Sequence, residues 1–125
     1  MTAMSIEVSE LRRRYVDALS TVEQASKRTV SALDEIRRGW DVARELIESG
    51  RPLVDLEQVL DPSPLRASLG EALADLERTR HDAQRLLFRV LHAEGQTLAD
   101  IGRTYGISRQ LVSRLVNEPE PNSAG

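Results

Sequence analysis

Residues 96–117 read QTLADIGRTYGISRQLVSRLVN, and the order of polar, apolar and glycine positions here decides how the C-terminal part of the chain folds. Thr97 precedes an apolar residue and has Asp100 three places later, a combination that favours a capped helix start. Gly106 supplies the left-handed conformation in which many helices end. Ser108 can then cap a second helix. The stretch therefore predicts two short helices joined by a tight turn.

The two short helices each have an apolar side and a polar side. The residues predicted to face inward are Leu98, Ile101, Tyr105, Ile107, Leu111, Val112 and Leu115. The outward side chains of the second helix, over residues 108–117, are Arg109, Gln110, Ser113 and Arg114. Guanidinium and amide groups hydrogen-bond to base edges in the major groove of DNA. The second helix is therefore predicted to read DNA sequence.

The segment GISRQLVSR after TLADIG resembles the tri-helical helix-turn-helix of sigma-factor DNA-binding regions, serine-recombinase C-terminal domains and small bacterial repressors. The resemblance covers about the last third of the chain. It implies that Gly106 is the turn glycine and that Gly102 stands where two backbones approach closely. The family usually has alanine at that second position, and glycine weakens a helix by roughly 1 kcal/mol relative to alanine.

The resemblance also implies which residues bind DNA, with base contacts from the second helix and phosphate contacts from the helix starts. The residues expected to contact DNA are Thr97, Arg103, Ser108, Arg109, Gln110, Ser113 and Arg114. Arg85 and Arg89 precede the motif, and they either touch phosphate or simply keep their helix solvated. We expect a bacterial, sequence-specific, double-stranded DNA-binding transcriptional regulator.

The charge of the chain is unevenly distributed. The whole sequence carries −3, whereas residues 78–117 contain seven arginines and three acidic residues, a net +4, so the remainder carries −7. A basic end on an acidic body is typical of a DNA-binding part joined to a separate interaction part. A GC-rich genome is an alternative source of the arginines, but it does not explain the asymmetry.

Several classes of function are disfavoured by composition. The chain has no cysteine, which excludes disulfides, zinc ribbons and thiol catalysis. His81 and His92 lie eleven residues apart without carboxylates at metal-ligand spacing, so surface or capping roles are expected and no metal or cofactor. No residue set suggests an enzyme. With no apolar run of membrane-spanning length and no signal peptide, we expect a cytoplasmic, nucleoid-associated protein.

Residues 5–49 contain no proline, and small or apolar residues recur there in steps of three and four. This heptad-like pattern predicts one long helix that lies against another, as in a coiled coil. Ser20 and Ser31 resemble helix caps, so a break is the alternative. Trp40 is expected to fill the core, although Gly39 and Trp40 could also form a hinge or a docking point.

A second long helix is predicted over residues 64–94, capped by Ser63, and Gly95 ends it. The connection would form one or two turns with Leu53, Leu56, Val59 and Leu60 facing inward. Folding the second helix back on the first pairs Ile47 with the region of Leu65, and Val22 with that of Leu91. The hairpin leaves out the first fifteen or so residues, which must contact the helix-turn-helix, a second chain or solvent.

The predicted architecture is all-α, a long antiparallel helical hairpin followed by a C-terminal tri-helical helix-turn-helix. Its parts are residues 1–63, a second helix at 64–94, a DNA-binding head at 80–118 and a disordered tail at 119–125. The head core is expected to join Leu86, Leu87, Val90 and Leu91 to Leu98, Ile101, Val112 and Leu115. Two hairpins would associate as a four-helix bundle, giving a homodimer.

A different hypothesis makes the hairpin the functional part and the helix-turn-helix a DNA tether. The chain would then be an adaptor for polymerase, a partition or recombination factor, or an antitoxin with a protein partner. The unpaired N-terminal residues motivate this alternative.

Overall fold

The computed structural model describes residues 5–119, and this part of the chain is entirely helical, with no strand. The helices are α1 (Ile6–Glu48), α2 (Leu56–Val59), α3 (Pro62–Ala93), α4 (Leu98–Tyr105) and α5 (Arg109–Val116), with a 3-10 helix at Leu53–Asp55. The all-α prediction is confirmed. None of the helices in this range has the length and hydrophobicity that a membrane span requires. The tail predicted at 119–125 lies outside the described residues, apart from Pro119.

α1 is one continuous helix of 43 residues, as predicted. It ends before Gly50, where the amide of Arg51 donates to the carbonyl of Leu46. The start of α3 differs from the prediction, because the helix begins at Pro62 and a carboxylate oxygen of Asp61 accepts a hydrogen bond from the amide of Ser63. The first amides of a helix have no partner inside it, so a proline there costs no hydrogen bond.

The chain divides into two compact units. The terminal unit comprises residues 1–22 and 78–125, and the central unit comprises residues 23–77. The long helices α1 and α3 therefore contribute to both units.

In the terminal unit, the start of α1 packs against the later part of α3. The cluster consists of buried Leu11, Ala18, Ala83, Leu86 and Val90, with Tyr15 and Val22 packed against it. The guanidinium of Arg12 lies 2.9 Å from the carboxylate of Glu94. The N-terminal residues, which the predicted hairpin left out, thus pack against the later part of α3. Leu86 and Val90 were wrongly assigned to the head core, since they face α1.

In the central unit, the hydroxyl of Thr29 on α1 lies 3.3 Å from the carbonyl oxygen of Ala72 on α3. Arg28, also on α1, forms an ion pair with Asp75, which lies one turn after Ala72 on α3. These contacts fix the register between the two helices. The predicted pairing of Val22 with the region of Leu91 is wrong. Val22 packs in the terminal unit, and Leu91 belongs to a different cluster.

The predicted pairing of Ile47 with Leu65 is also wrong. Leu65 helps to line a cavity of about 310 Å³ with Gly39 and Trp40, while Ile47 is exposed. The reason is that the connection folds back on α1, since a Cβ on Gly39 would lie 3.2 Å from a methyl carbon of Leu60. The connection thus occupies space that the prediction gave to α3.

Three other inward-facing predictions fail in the central unit. Leu53 and Val59 are exposed, while Leu56 and Leu60 are half-buried. Trp40 is 60% exposed and does not fill the core. Both short helical segments of the connection turn one side to solvent, so only Leu56 and Leu60 of their apolar residues lie against α1.

Candidate nucleic-acid interface

Two short helices and the turn between them present the residues predicted to bind DNA. The hydroxyl of Thr97 accepts a hydrogen bond from the amide of Asp100 at 3.0 Å, which caps α4. The hydroxyl of Ser108 accepts one from the amide of Leu111 at 3.0 Å, which caps α5. Gly106 ends α4 in the left-handed region, with φ 70°. The caps and the turn predicted at these positions are confirmed.

Gly102 is buried where α4 meets the segment leading into α5. A Cβ on Gly102 would lie 2.7 Å from the carbonyl oxygen of Ile107. Atoms this close repel strongly, and a backbone carbonyl cannot rotate away as a side chain can. Alanine would therefore require this structure to open, which accounts for a glycine at this position.

The core beneath α4 and α5 has Phe88 at its centre. Its fully buried members are Phe88, Ile101 and Val112, joined by Leu115 and by the half-buried Leu87, Leu91, Leu98, Ile107, Leu111 and Val116. Phe88 was not among the core residues predicted from the sequence. The available signal was its position three residues before Leu91, on the side of α3 that turns away from α1.

Tyr105 does not have the buried position predicted for it. Its ring meets that of Phe88 edge to face, with centroids 5.1 Å apart, but the residue is 43% exposed. An edge-to-face contact of this kind contributes about 0.5–1.5 kcal/mol beyond area burial. Tyr105 thus covers the rim of the core rather than filling it.

The outer side of α5 carries Arg109, Gln110 and Arg114, all exposed. Within residues 5–119, none of these three side chains has a hydrogen-bond or ion-pair partner. Ser113 differs, because it is half-buried and its hydroxyl lies 3.5 Å from the side-chain nitrogen of Asn117. Three of the four predicted base-reading side chains are therefore free to bind a ligand.

The starts of α4 and α5 leave backbone amides available. Thr97 and Ser108 each use a hydroxyl oxygen as an acceptor, so the hydroxyl proton remains free to donate. The first amides of each helix, those of Leu98 and Arg109, have no acceptor in the described range. Helix starts carry a partial positive charge and donors that suit an anion such as phosphate.

Arg103 is exposed on α4, but its guanidinium donates to the carboxylate of Asp100 one turn earlier. This pair is local, and each side chain remains in water, so it contributes little stability. Of the residues predicted to bind DNA, Arg103 is the one whose charge is neutralised by a neighbour.

Arg85 is buried completely, which neither of its predicted roles anticipated. Its guanidinium donates to Asp82 at 2.6 Å and lies 3.9 Å from the carboxylate of Glu118. The imidazole of His81 lies 2.9 Å from that same carboxylate. These contacts tie the residues that follow α5 to α3, and Arg85 has no exposed surface with which to touch phosphate.

His92 is exposed, one of the two roles expected for it, and its ring lies 3.1 Å from the carbonyl oxygen of Gln96 in the loop after α3. Within residues 5–119, no cluster of three or more histidine or acidic side chains is placed to hold a metal ion. Comparisons with protein-family models, with curated proteins and with solved structures found no match to this chain.

Proposed function

We propose that this chain is a sequence-specific, double-stranded DNA-binding transcriptional regulator. In this proposal the end of α3, with α4 and α5, forms a tri-helical helix-turn-helix, and α5 enters the major groove. One observation carries the proposal: α5 buries Val112 and Leu115 on one side and exposes Arg109, Gln110 and Arg114 on the other.

The chemistry of the exposed side chains suits base recognition. Arg109 and Arg114 can each donate two hydrogen bonds to guanine, and Gln110 can pair with adenine. Each such contact contributes about 1–3 kcal/mol of discrimination between bases. Because these side chains have no partner within the described residues, binding DNA does not first require an ion pair to break.

The helix starts supply the phosphate contacts of the proposed complex. The hydroxyls of Thr97 and Ser108 and the free amides of the first turns donate to phosphate oxygens, which positions α5 without selecting sequence. Ser113 plays a smaller part, since it is half-buried beside Asn117. Arg103 contributes once DNA draws it away from Asp100.

A homodimer completes the proposal. In each unit α1 lies beside α3, and we take the two helices to form the antiparallel hairpin through which two copies associate. A dimer presents two recognition helices to a pseudo-palindromic site, which raises affinity and specificity together.

Selection of bound duplexes from a random-sequence pool, followed by fluorescence anisotropy, tests the DNA-binding proposal. We expect enrichment of one motif and salt-sensitive binding. Arg109→Ala with Arg114→Ala should weaken binding to that motif by about thirtyfold or more, from two contacts of 1–3 kcal/mol each. This result is informative only if the double variant has the same unfolding temperature as the unchanged protein.

A second double variant provides the matched control. Arg38→Ala with Arg66→Ala removes the same charge from exposed side chains of the central unit that have no partner in residues 5–119. Binding should change by no more than about twofold, because these charges lie outside the proposed contact surface. Equal losses in both double variants, or no enriched motif, would refute sequence-specific recognition by α5.

The adaptor or antitoxin hypothesis has lost the observation that motivated it. Leu11 and Ala18, in the part of α1 that the predicted hairpin left unmatched, are buried in the cluster with α3. Copurification from the native host separates the two hypotheses, since a stoichiometric protein partner favours the adaptor and a homodimer alone favours the regulator.

A further inference from the structure

In the central unit, α1, the connection and the start of α3 surround an apolar cavity of about 310 Å³. Most of its lining residues are half-buried and carry no polar side-chain group, namely Ile36, Gly39, Ala43, Leu56, Leu60, Leu65 and Leu69. The remaining two, Trp40 on α1 and Arg66 on α3, are exposed, so they mark the mouth where the cavity opens to solvent. The cavity is thus an apolar space with one aromatic and one cationic side chain at its mouth.

The cavity exists because α1 presents small residues to the leucines of the other two elements. At Gly39 the connection lies directly against α1, since a Cβ there would lie 3.2 Å from a methyl carbon of Leu60. Ala43, one turn further along α1, also lines the cavity but carries only a methyl group. The space in front of Ala43 is therefore left open, although leucines of α3 lie close to it.

Water is poorly accommodated in such a cavity. A water molecule needs about two to four polar partners, and the lining side chains offer only the guanidinium of Arg66 and the indole N–H of Trp40, both at the mouth. Replacing poorly held water by an apolar group favours binding. At about 30 Å³ per water molecule, the cavity has room for about ten non-hydrogen atoms. It therefore suits a small ligand with an apolar body.

Arg66 determines the charge that such a ligand should carry. It is the one charged residue of the lining, and within residues 5–119 it has no hydrogen-bond or ion-pair partner. Its stem can lie along the apolar wall while the guanidinium stays in water, where it can donate two parallel hydrogen bonds to a carboxylate. We propose that the cavity binds a small amphipathic carboxylate, with its apolar chain among the leucines and its head group paired with Arg66.

Acidic residues adjoin the lining, but none belongs to it. Asp41, beside Trp40, is paired with Arg44 at 2.8 Å. Glu57 and Asp61 of the connection are exposed, so water and salt screen their charges. The head group of a bound ligand lies at the mouth, where Arg66 is the charged side chain in contact with it. A carboxylate is therefore favoured over an ammonium group of the same size.

This site goes beyond the proposed function and does not rest on it, so binding is measured on the full chain without DNA. The probe is octanoate, which has about as many non-hydrogen atoms as the cavity has room for. Isothermal titration should give saturable binding with a dissociation constant of about 1 mM. Octanol and octylammonium should bind more weakly, and acetate not measurably. The emission of Trp40, the one tryptophan in the sequence, should change with the same midpoint.

Substitution of Arg66 tests the head-group contact. Arg66→Gln should weaken octanoate binding by about fivefold, the upper end for an ion pair that water still reaches, and should leave octanol binding unchanged. Arg66→Glu should reverse the preference, so that octylammonium binds more tightly than octanoate. Arg38→Gln is the matched control, because Arg38 is an exposed arginine of the same unit outside the lining, and it should leave binding of both probes unchanged.

Filling the cavity tests where the apolar chain lies. Ala43→Leu occupies part of the space and should weaken octanoate and octanol binding alike, by about tenfold or more, because fewer methylene groups of the ligand leave water. Ala74→Leu is the matched control, with the same change at an exposed position of α3 outside the lining, and should have no effect. Unfolding temperatures show whether each variant is folded.

Saturable octanoate binding that decreases in both Arg66→Gln and Ala43→Leu supports the site. Three results would each overturn it: no saturable binding, equal affinities for octanoate and octylammonium, or octanoate binding unchanged in either variant. If Ala43→Leu does not fold, the exposed substitution Arg66→Gln decides alone. None of these results depends on whether Arg109 and Arg114 bind DNA, so failure here and failure of the proposed function are distinguishable.

Discussion

The carbonyl oxygen of Ile107 occupies the position that a side chain on Gly102 would need, 2.7 Å from where its Cβ would lie. Ile107 belongs to the segment that leads from α4 into α5. The contact therefore sets how closely the two helices approach and holds the exposed face of α5 in place. A glycine in mid-helix usually costs stability, but here its missing Cβ permits the packing.

Gly102→Ala should lower the free energy of unfolding by about 1–3 kcal/mol. Forcing an atom into a packed site costs about this much, and the helix propensity gained, about 1 kcal/mol, offsets only part of it. Urea denaturation followed by circular dichroism measures the change. Gly70→Ala is the matched control, because that α3 glycine has open space around it and alanine should stabilise the protein slightly. Equal effects of the two variants would contradict the close contact.

Arg85→Met should lower the free energy of unfolding less than Arg85→Ala. Its buried guanidinium is near two carboxylates, those of Asp82 and Glu118, which keep 31% and 34% of their side-chain surface exposed. Once the guanidinium is removed, water can still hydrate them, so the penalty of a stranded charge is avoided. Arg85→Ala also leaves a cavity and should cost about 2–4 kcal/mol, with Arg85→Met clearly less.

Thermal unfolding of the two Arg85 variants checks this order. If methionine costs as much as alanine, the ion pairs of the guanidinium matter more than its volume. If neither variant changes stability, the tie between α3 and the residues after α5 is not important for folding.

The features predicted correctly from the sequence are those set by local hydrogen bonds. Thr97, Gly106 and Ser108 each act on an amide or carbonyl within a few residues, so the pattern alone identifies them. Phe88 and Arg85 could not be placed in this way. Near its end α3 has apolar residues on more than one side, and periodicity does not say which side faces α1 and which faces α5.

The register between α1 and α3 could not be predicted from the sequence either. Small and apolar residues recur so evenly along both helices that several registers bury similar surface. The connection also folds against α1, where Leu60 meets Gly39. That contact is specific to the folded connection and has no signature in the spacing of either long helix.

Phe88→Ala should be the most destabilising of these substitutions, at about 3–5 kcal/mol. Phe88 has no exposed surface and forms one cluster with residues of both α4 and α5, so the cavity left behind cannot be filled by water-facing side chains. Tyr105→Ala removes the other ring of the edge-to-face pair from a partly exposed position and should cost about half as much or less. Denaturation of both variants gives the comparison, and a larger loss for Tyr105→Ala would contradict the assignment of Phe88 as the centre.

Asp100→Asn should strengthen DNA binding while slightly weakening α4. The substitution releases Arg103 from its ion pair and removes a negative charge from the proposed phosphate-facing side of α4. Binding titrations at several salt concentrations should show a steeper dependence, by about one unit of log–log slope, since one more phosphate is neutralised. The cost in stability is about 0.3–1 kcal/mol, because a carboxylate near a helix start is favourable. Adding Arg103→Ala should return the slope to its original value. If the slope stays high in that double variant, the gain comes from the loss of repulsion by Asp100 alone, and Arg103 does not touch DNA.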